Sequence, residues 1–167
     1  MKRMFLRNFA HQAAIFAAVV LITGSALGQS RPDFSGTYRL SAVKGDPAVN
    51  EHKNLGLKVV QTDTEIVITH QFIGHESESR LKLNGSEGNF TSPGALWRGY
   101  GKVKFKRNDL IINATVQFRD GLQFKEITYH EEWSLSPDRK TLTIHRETRQ
   151  SDVPELALVG DETYTRE

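Results

Sequence analysis

One segment of the chain places polar side chains two residues apart among apolar ones. Lys125, Tyr129, Glu131 and Trp133 all occupy odd positions, and residues two apart in a β-strand share one face. Arg146, on the following segment, is a charge partner for Glu131. Polar groups inside a barrel are costly unless they are paired or hydrated. We expect this set to orient a ligand at the polar end of a pocket; the alternative is a plug in which Glu131 and Arg146 neutralise one another and nothing binds.

Aromatic side chains are available to line such a pocket. The candidates are Phe105, Phe118 and Trp133, which a period of two places on the same inner face. Small barrels of about eight strands either are filled by side chains or hold one small ligand. The strand count therefore does not decide between a pocket and a plug.

A second group of residues has the chemistry of metal ligands. The same register places His130 opposite Glu147 and Glu132 opposite His145, on the outer face. Imidazoles and carboxylates on adjacent strands are ligands that zinc and other divalent ions accept. Solvated His–Glu pairs across strands are far commoner than metal sites, so we expect cross-strand pairs here and no metal.

The sequence carries no motif of a known catalytic class. It has no Gly-x-Ser-x-Gly nucleophile elbow, no phosphate-binding glycine loop and no dinucleotide fingerprint. It also has no cysteine, which excludes a disulfide, a thiol nucleophile and a thiolate metal site. We expect a binding protein that uses no cofactor, rather than an enzyme.

The elements that position these residues are β-strands. After Gln29 almost every segment alternates with a period of two and is interrupted by Gly, Asn, Asp or Pro, which predicts an all-β antiparallel fold. Short strands in succession favour an up-and-down barrel, because closure leaves no long edge exposed. A Gly- and Ser-rich run from Asn84 to Ala95 is predicted to be a loop at the barrel mouth. The nine predicted strands lie near residues 33–42, 56–62, 64–73, 77–83, 96–107, 109–119, 122–134, 140–149 and 157–166.

Turn residues predict the register of four hairpins, because partners across a hairpin must share a face. A three-residue loop at Asp120 is an alternative that would turn Glu126, Thr128, His130 and Glu132 inward. The predicted turns and pairs are Thr62-Asp63 with Val59 opposite Ile66, Asn108-Asp109 with Phe105 opposite Ile112, Asp120-Gly121 with Val116 opposite Lys125, and Ser136 to Lys140 with Leu135 opposite Leu142.

The first 28 residues have the pattern of a cleavable secretory signal. Lys2, Arg3 and Arg7 precede an apolar run from Ala13 to Leu27 that ends in small residues. This run is shorter than the roughly twenty residues of a membrane-spanning helix, so we expect no transmembrane helix after its removal. An uncleaved signal anchor is the alternative. We expect residues 29–167 to form one domain in the periplasm or outside the cell.

Removal of the signal changes the apparent charge of the protein. The whole chain has 22 basic and 20 acidic residues, and the first 28 contain three basic and no acidic ones. The predicted mature chain therefore has 19 basic and 20 acidic residues. This balance gives no support to a general affinity for nucleic acid.

Two segments resemble the lipocalin and fatty-acid-binding superfamily. In Asp33-Phe34-Ser35-Gly36-Thr37-Tyr38-Arg39-Leu40, Tyr38 stands where the family's Gly-x-Trp element has its Trp. The segment Leu135-Ser136-Pro137-Asp138-Arg139-Lys140-Thr141-Leu142 is similar to the late hairpin of exported bacterial lipocalin-like proteins of unassigned function, which usually have Gly in place of Arg139. The resemblance implies a barrel that encloses a cavity, with Tyr38 as the aromatic residue of its floor.

Two features depart from the fatty-acid-binding pattern. The stretch from Lys44 to Asn54 is too short for a two-helix lid, and the carboxylate-binding Arg-x-Tyr occurs only in reverse, as Tyr164-Thr165-Arg166. The resemblance therefore extends to the fold and the cavity and not to fatty-acid chemistry. We expect an exported protein that binds a small, mostly apolar molecule inside the barrel. The alternative is an envelope structural or interaction module with a filled barrel, which binds a protein or polymer through its outer face.

Overall fold

A computed structural model describes residues 31–45, 55–91, 97–120, 123–150 and 153–167. These residues belong to one compact unit, Arg31–Glu167. The predicted signal segment, residues 1–28, lies outside the described residues. Within the described ranges, no helix has the length and apolar character needed to cross a membrane.

Within the described ranges, ten antiparallel strands form a closed barrel, which confirms the predicted all-β fold. Each strand pairs with the next along the chain, and β1 pairs with β10 to complete the up-and-down order. The strands are β1 (Gly36–Gly45), β2 (Gly56–Gln61), β3 (Glu65–Phe72), β4 (His75–Lys82), β5 (Gly88–Thr91), β6 (Trp97–Lys106), β7 (Asp109–Asp120), β8 (Gln123–Leu135), β9 (Thr141–Gln150) and β10 (Val153–Arg166).

The strand that the sequence did not predict is β5, which lies inside the Gly- and Ser-rich run from Asn84 to Ala95. It pairs with β4 on one side and β6 on the other. A Cβ atom at Gly88 would collide with the main chain of Arg80 and Leu81. A glycine is therefore required where β5 approaches β4, and the prediction of a loop is wrong for these four residues.

The predicted faces of the hairpins are confirmed, but the pairing in three of them is wrong by two residues. In each of the three, the centre of the pairing lies one residue away from the predicted turn, so every partner shifts by two and the inner and outer faces are unchanged. The observed pairs are Val59 with Ile68, Phe105 with Leu110 and Val116 with Ile127, in place of Ile66, Ile112 and Lys125.

Two of these shifts have a local cause. The Thr62 hydroxyl accepts the N–H of Glu65 at 3.1 Å, and the Thr62 N–H donates to the Glu65 carbonyl at 2.8 Å. Thr62 therefore links the two ends of the turn, from a position directly after β2 to the first residue of β3. Arg107 adopts a φ of 58°, which places the next turn at Arg107 and Asn108 and leaves Asp109 free to join β7.

The β8–β9 hairpin has the predicted register. Leu135 pairs with Leu142, and Glu131 pairs with Arg146. Arg139, in the turn, has a φ of 58°. This left-handed conformation favours glycine, the residue that the resembling family usually has there.

The alternative three-residue loop after β7 is excluded by the burial pattern of β8. Glu131 and Trp133 are buried, whereas Thr128 and His130 are exposed. Odd positions of β8 therefore face the interior, as the two-residue turn predicts.

The lower half of the barrel is filled with large apolar side chains. The lower end of the barrel is the end with the β2–β3, β6–β7 and β8–β9 turns. The upper end is the one at which Ile73 and Gly74 connect β3 to β4. Side chains from nearly every strand meet in the lower half. The buried cluster is Phe34, Tyr38, Leu57, Val59, Ile66, Ile68, Leu81, Leu83, Val103, Leu110, Ile112, Trp133, Leu142, Ile144 and Tyr164.

Residues 31–35, which precede β1, cover the lower end. The Phe34 ring meets the Trp133 ring edge to face, with 6.3 Å between centroids. The Tyr38 hydroxyl donates to the Phe34 carbonyl at 2.9 Å, and the Arg31 guanidinium lies 5.4 Å from the centroid of the Phe105 ring. Tyr38 is buried at this end of the barrel.

Candidate functional site

Three neighbouring strands bring three charged side chains together inside the barrel. Arg146 on β9 donates from Nε to Glu131 Oε1 on β8 at 2.7 Å. It also donates from Nη1 to Glu162 Oε1 on β10 at 3.0 Å. The side chains of Arg146, Glu131 and Glu162 are 10%, 12% and 1% exposed. We call this set the charged cluster. Because β8, β9 and β10 are adjacent and in register, the period of two places all three on one inner face.

The remaining carboxylate oxygens of the charged cluster also have partners. Trp133 Nε1 donates to Glu131 Oε2 at 2.8 Å, and the Tyr164 hydroxyl donates to Glu162 Oε2 at 2.7 Å. Every carboxylate oxygen therefore accepts one hydrogen bond from an ordered donor. Such pairing offsets the desolvation of the buried charges.

The electrostatic setting keeps the Glu131–Arg146 pair ionised. Burial acts to raise the pKa of Glu131, but the Arg146 guanidinium and the Trp133 N–H outweigh it, so the pKa is lowered. Burial acts to lower the pKa of Arg146, and the two carboxylates raise it instead. The charged cluster contains two carboxylates and one guanidinium, which is a formal charge of −1.

Above the charged cluster, the interior is lined by small side chains. The register places these residues on the same face as the core, and they occupy less volume than the large side chains of the lower half. They are Ser77, Ser79, Gly99, Gly101, Ala114, Thr148 and Gly160.

Other inward-facing residues of the upper half keep part of their surface accessible to solvent. Ala114 and Val116 pack against the core, yet each is only partly buried. The same holds for Phe118 on β7 and for Ile127 and Tyr129 on β8. These side chains are therefore less completely buried than the core cluster of the lower half.

Two polar side chains face this upper space. Burial raises the pKa of the Tyr129 hydroxyl, which keeps the phenol neutral. His70 Nδ1 is a buried atom with no hydrogen-bond partner among the described residues. Burial also lowers the pKa of His70 to about 4, so its ring is neutral at pH 7. Both side chains interact electrostatically with Glu131 and Arg146, which places them near the charged cluster.

An aromatic stack lines the upper end beside β3 and β4. The His70 and Phe72 rings are stacked with 6.3 Å between centroids, and Phe72 and His75 with 4.8 Å. The stack runs from the interior to the turn at Ile73, whose side chain is 83% exposed. It provides an apolar wall to the upper space.

The remaining pocket candidates are divided between the two ends of the barrel. Lys125 and Phe118 are half-buried and pair across β7 and β8 toward the upper end. Phe105 and Trp133 lie at the lower end, where Trp133 is fully buried against Phe34. The upper space is therefore bordered by Phe118, Tyr129 and Lys125 of the candidate set.

The candidate metal ligands have the predicted outer register but bind other neighbours. His130 pairs with Glu147 in register, while its Nδ1 lies 2.8 Å from Asn113 Oδ1. His145 Nδ1 lies 2.6 Å from Asp161 Oδ1. Glu147 binds Arg149, and Glu132 remains opposite His145 in register. Among the residues that the structure describes, no three metal-binding side chains converge.

A groove lies across β6 to β9. Its volume is about 390 Å³, within the range of small-molecule sites. Its walls expose more apolar than polar surface, carry both signs of charge, and include Gly101, Ala114 and Tyr129 of the inward-facing row. The outward-facing residues that line it include Tyr100, Lys102, Asn113, Thr115, Thr128, His130, Glu147 and Arg149.

Sequence reasoning missed Glu162, Tyr164 and His70 as interior residues. His70 continues the alternation of Ile66 and Ile68, which predicts an inward side chain. Glu162 precedes Tyr164 by two residues on the last strand, so both share a face. This alternation is present in the sequence. Assigning the inner face of β10 also requires its pairing with β9, which the sequence does not give.

Comparison with protein-family models returned no match, and comparison with curated proteins returned none either.

Proposed function

We propose that this protein is an exported, lipocalin-like barrel that binds a small, mostly apolar molecule in the upper half of its interior, without catalysis. One observation carries the proposal: the inward-facing residues above the charged cluster are small or only partly buried. Small barrels that are not filled by side chains can hold one ligand. Phe118 and Phe72 supply apolar walls, and Tyr129 supplies a polar contact, which is the usual composition of a ligand site.

A filling substitution tests where a ligand binds. Val116 faces the interior and does not line the groove, whereas the preceding residue, Thr115, does. We expect wild-type protein to bind the neutral apolar fluorophore N-phenyl-1-naphthylamine, with Val116→Trp abolishing binding and Thr115→Phe preserving it. Fluorescence titration measures the affinity, and circular dichroism checks the fold. Ile127→Trp, at the position that pairs with Val116, is a second filling variant in case Val116→Trp does not fold.

Two outcomes contradict the interior site. The first is that folded wild-type protein binds no apolar probe. The second is that Val116→Trp and Ile127→Trp both fold and bind the probe as well as wild type does. Native mass spectrometry of protein purified from its natural source provides an independent measurement, because a bound ligand adds mass that denaturation removes.

The outer groove favours a second candidate function, recognition of a polymer or protein by the outer face. Its polar and charged side chains can form hydrogen bonds with a hydrated partner, and Tyr100, at 40% exposed, offers an aromatic surface. Thr115→Phe would then block partner binding while Val116→Trp preserves it, the reverse of the pattern expected for an interior ligand.

A further inference from the structure

The charges inside the barrel favour one kind of ligand head group. We infer that the interior site selects amphiphiles with a cationic amine head over those with a carboxylate head. This inference rests on the proposed interior binding and adds the chemical class of the ligand. The observation behind it is the composition of the charged cluster, in which Glu131 and Glu162 share the single guanidinium of Arg146.

Arg146 is not available to neutralise a ligand carboxylate. It already contacts two carboxylates at 2.7 Å and 3.0 Å. A third carboxylate in the upper space would approach a cluster with one excess negative charge, in a buried setting where charge interactions are screened less than in water. An ammonium group would instead bring the total charge of the cluster and ligand to zero.

The hydrogen-bonding capacity near the charged cluster also favours a donor head group. Each carboxylate oxygen has two lone pairs and accepts one hydrogen bond from an ordered donor, which leaves acceptor capacity. Independently, His70 Nδ1 is buried without a partner among the described residues. In the tautomer that carries its proton on Nε2, the Nδ1 of the neutral ring accepts a hydrogen bond from a ligand N–H. An unpartnered buried polar atom is costly unless a bound group satisfies it.

Lys125, a charged residue at the upper end of β8, lies farther away. Lys125 is six residues from Glu131 along β8, about 20 Å at the usual rise of a strand. It lies beside Phe118 toward the upper end. Its charge therefore acts on the outer part of a ligand more than on a head group beside Glu131 and Arg146. The neutral phenol of Tyr129 lies between, two residues from Glu131.

A series of ligands with one tail and three heads tests the inference. Octylamine, octanol and octanoate would each compete with N-phenyl-1-naphthylamine at pH 7.5, below their aggregation concentrations. We expect octylamine to bind at least tenfold more tightly than octanoate, with octanol between them. Glu162→Gln removes one buried negative charge with little change of shape, so it should reduce the ratio of the two affinities severalfold. Glu131→Gln is the second variant if Glu162→Gln does not fold.

The matched control is Glu65→Gln, which removes a carboxylate that binds Arg80 on the exterior. It should preserve the tenfold preference for octylamine. If octanoate binds as tightly as octylamine, the head-group inference is overturned while interior binding is not. The head-group inference is also overturned if the protein binds the probe and none of the three ligands displaces it. A wild-type protein that does not bind the probe overturns both.

Discussion

At the scale of residues, loss of the buried guanidinium of Arg146 should strongly lower the free energy of unfolding. This guanidinium is the sole positive charge of the charged cluster and contacts two carboxylates. A buried ion pair contributes little net stability compared with apolar residues, because desolvation offsets attraction. Removing one partner alone is different, since the other charge then stays buried without compensation.

Arg146→Met should therefore lower the free energy of unfolding by about 3–5 kcal/mol. Urea denaturation at pH 7 measures it. Arg80→Met is the matched control, because Arg80 is 59% exposed and pairs with Glu65 and Glu78 on the surface. Exposed pairs contribute about 0–1 kcal/mol. Similar losses in the two variants would contradict a dominant role for the buried cluster.

His70 predicts a pH dependence at the same scale. Its pKa is about 4 in the folded barrel, against about 6.5 in an unfolded chain. Between these values the unfolded chain binds a proton that the folded chain does not, so stability falls as the pH falls. From pH 7 to pH 5 the loss should be about 2 kcal/mol.

His70→Phe should remove this part of the pH dependence, measured as the urea midpoint at pH 7 and pH 5. Phe72→Leu is the control, because it alters packing on the same strand and removes no titratable group. The lowered pKa of Glu131 affects stability at more acidic pH than this range, since its ordinary value is already 4.5. A slope that persists unchanged in His70→Phe would show that His70 does not cause it.

At the scale of elements, hairpin faces are predictable from the sequence, whereas exact partners are less so. Alternation assigns the inner face because burial of one side is worth several kcal/mol over a strand. Thr62 has a polar side chain typical of turns, yet it lies directly after the end of β2, where its hydroxyl accepts the N–H of Glu65. The β8–β9 hairpin was predicted correctly because aligned Leu135 and Leu142 leave one register that buries both.

Two parts of the structure depend on contacts that local sequence does not carry. β5 consists of four residues whose conformation is supported by the neighbouring β4 and β6. Glu162 joins the charged cluster because β10 pairs with β9 in one register. The Glu131–Arg146 half of the cluster was predicted, since both residues belong to one hairpin.

The turn between β8 and β9 gives a prediction at this scale. Arg139 has a φ of 58°, which costs a non-glycine residue on the order of 1 kcal/mol. Arg139→Gly should therefore raise the free energy of unfolding by up to about 1 kcal/mol, measured by thermal unfolding. Arg39→Gly is the control: the same substitution at an exposed strand position should lower stability instead. A loss of stability in Arg139→Gly would contradict strain in this turn.

At the scale of the whole molecule, the barrel has a packed half and an open half. The lower half contains the apolar cluster and is covered by Phe34. The upper half contains small and partly accessible side chains. The two halves share the same strands, so their difference lies in side-chain packing and not in hydrogen-bonded pairing.

This difference should be visible in amide hydrogen exchange. Local opening is easier where few apolar contacts hold a strand. Amides near Ile112 and Trp133 should therefore be more strongly protected than amides near Val116 and Ile127 on the same strands. Exchange followed by NMR resolves individual residues. Equal protection along β7 and β8 would indicate that the upper half is packed as firmly as the lower.

The pairing of β1 with β10 has a kinetic consequence. The other nine pairings join strands that follow one another along the chain, so each forms between segments that are close in sequence. The seam between Tyr38 and Arg166 instead joins residues from opposite ends of the domain. Loop-closure entropy opposes such a distant contact until the intervening hairpins have shortened the path. We therefore expect sealing of this seam to be the rate-limiting step of folding, and the free edges of β1 and β10 to be the surfaces most prone to misassembly before it closes.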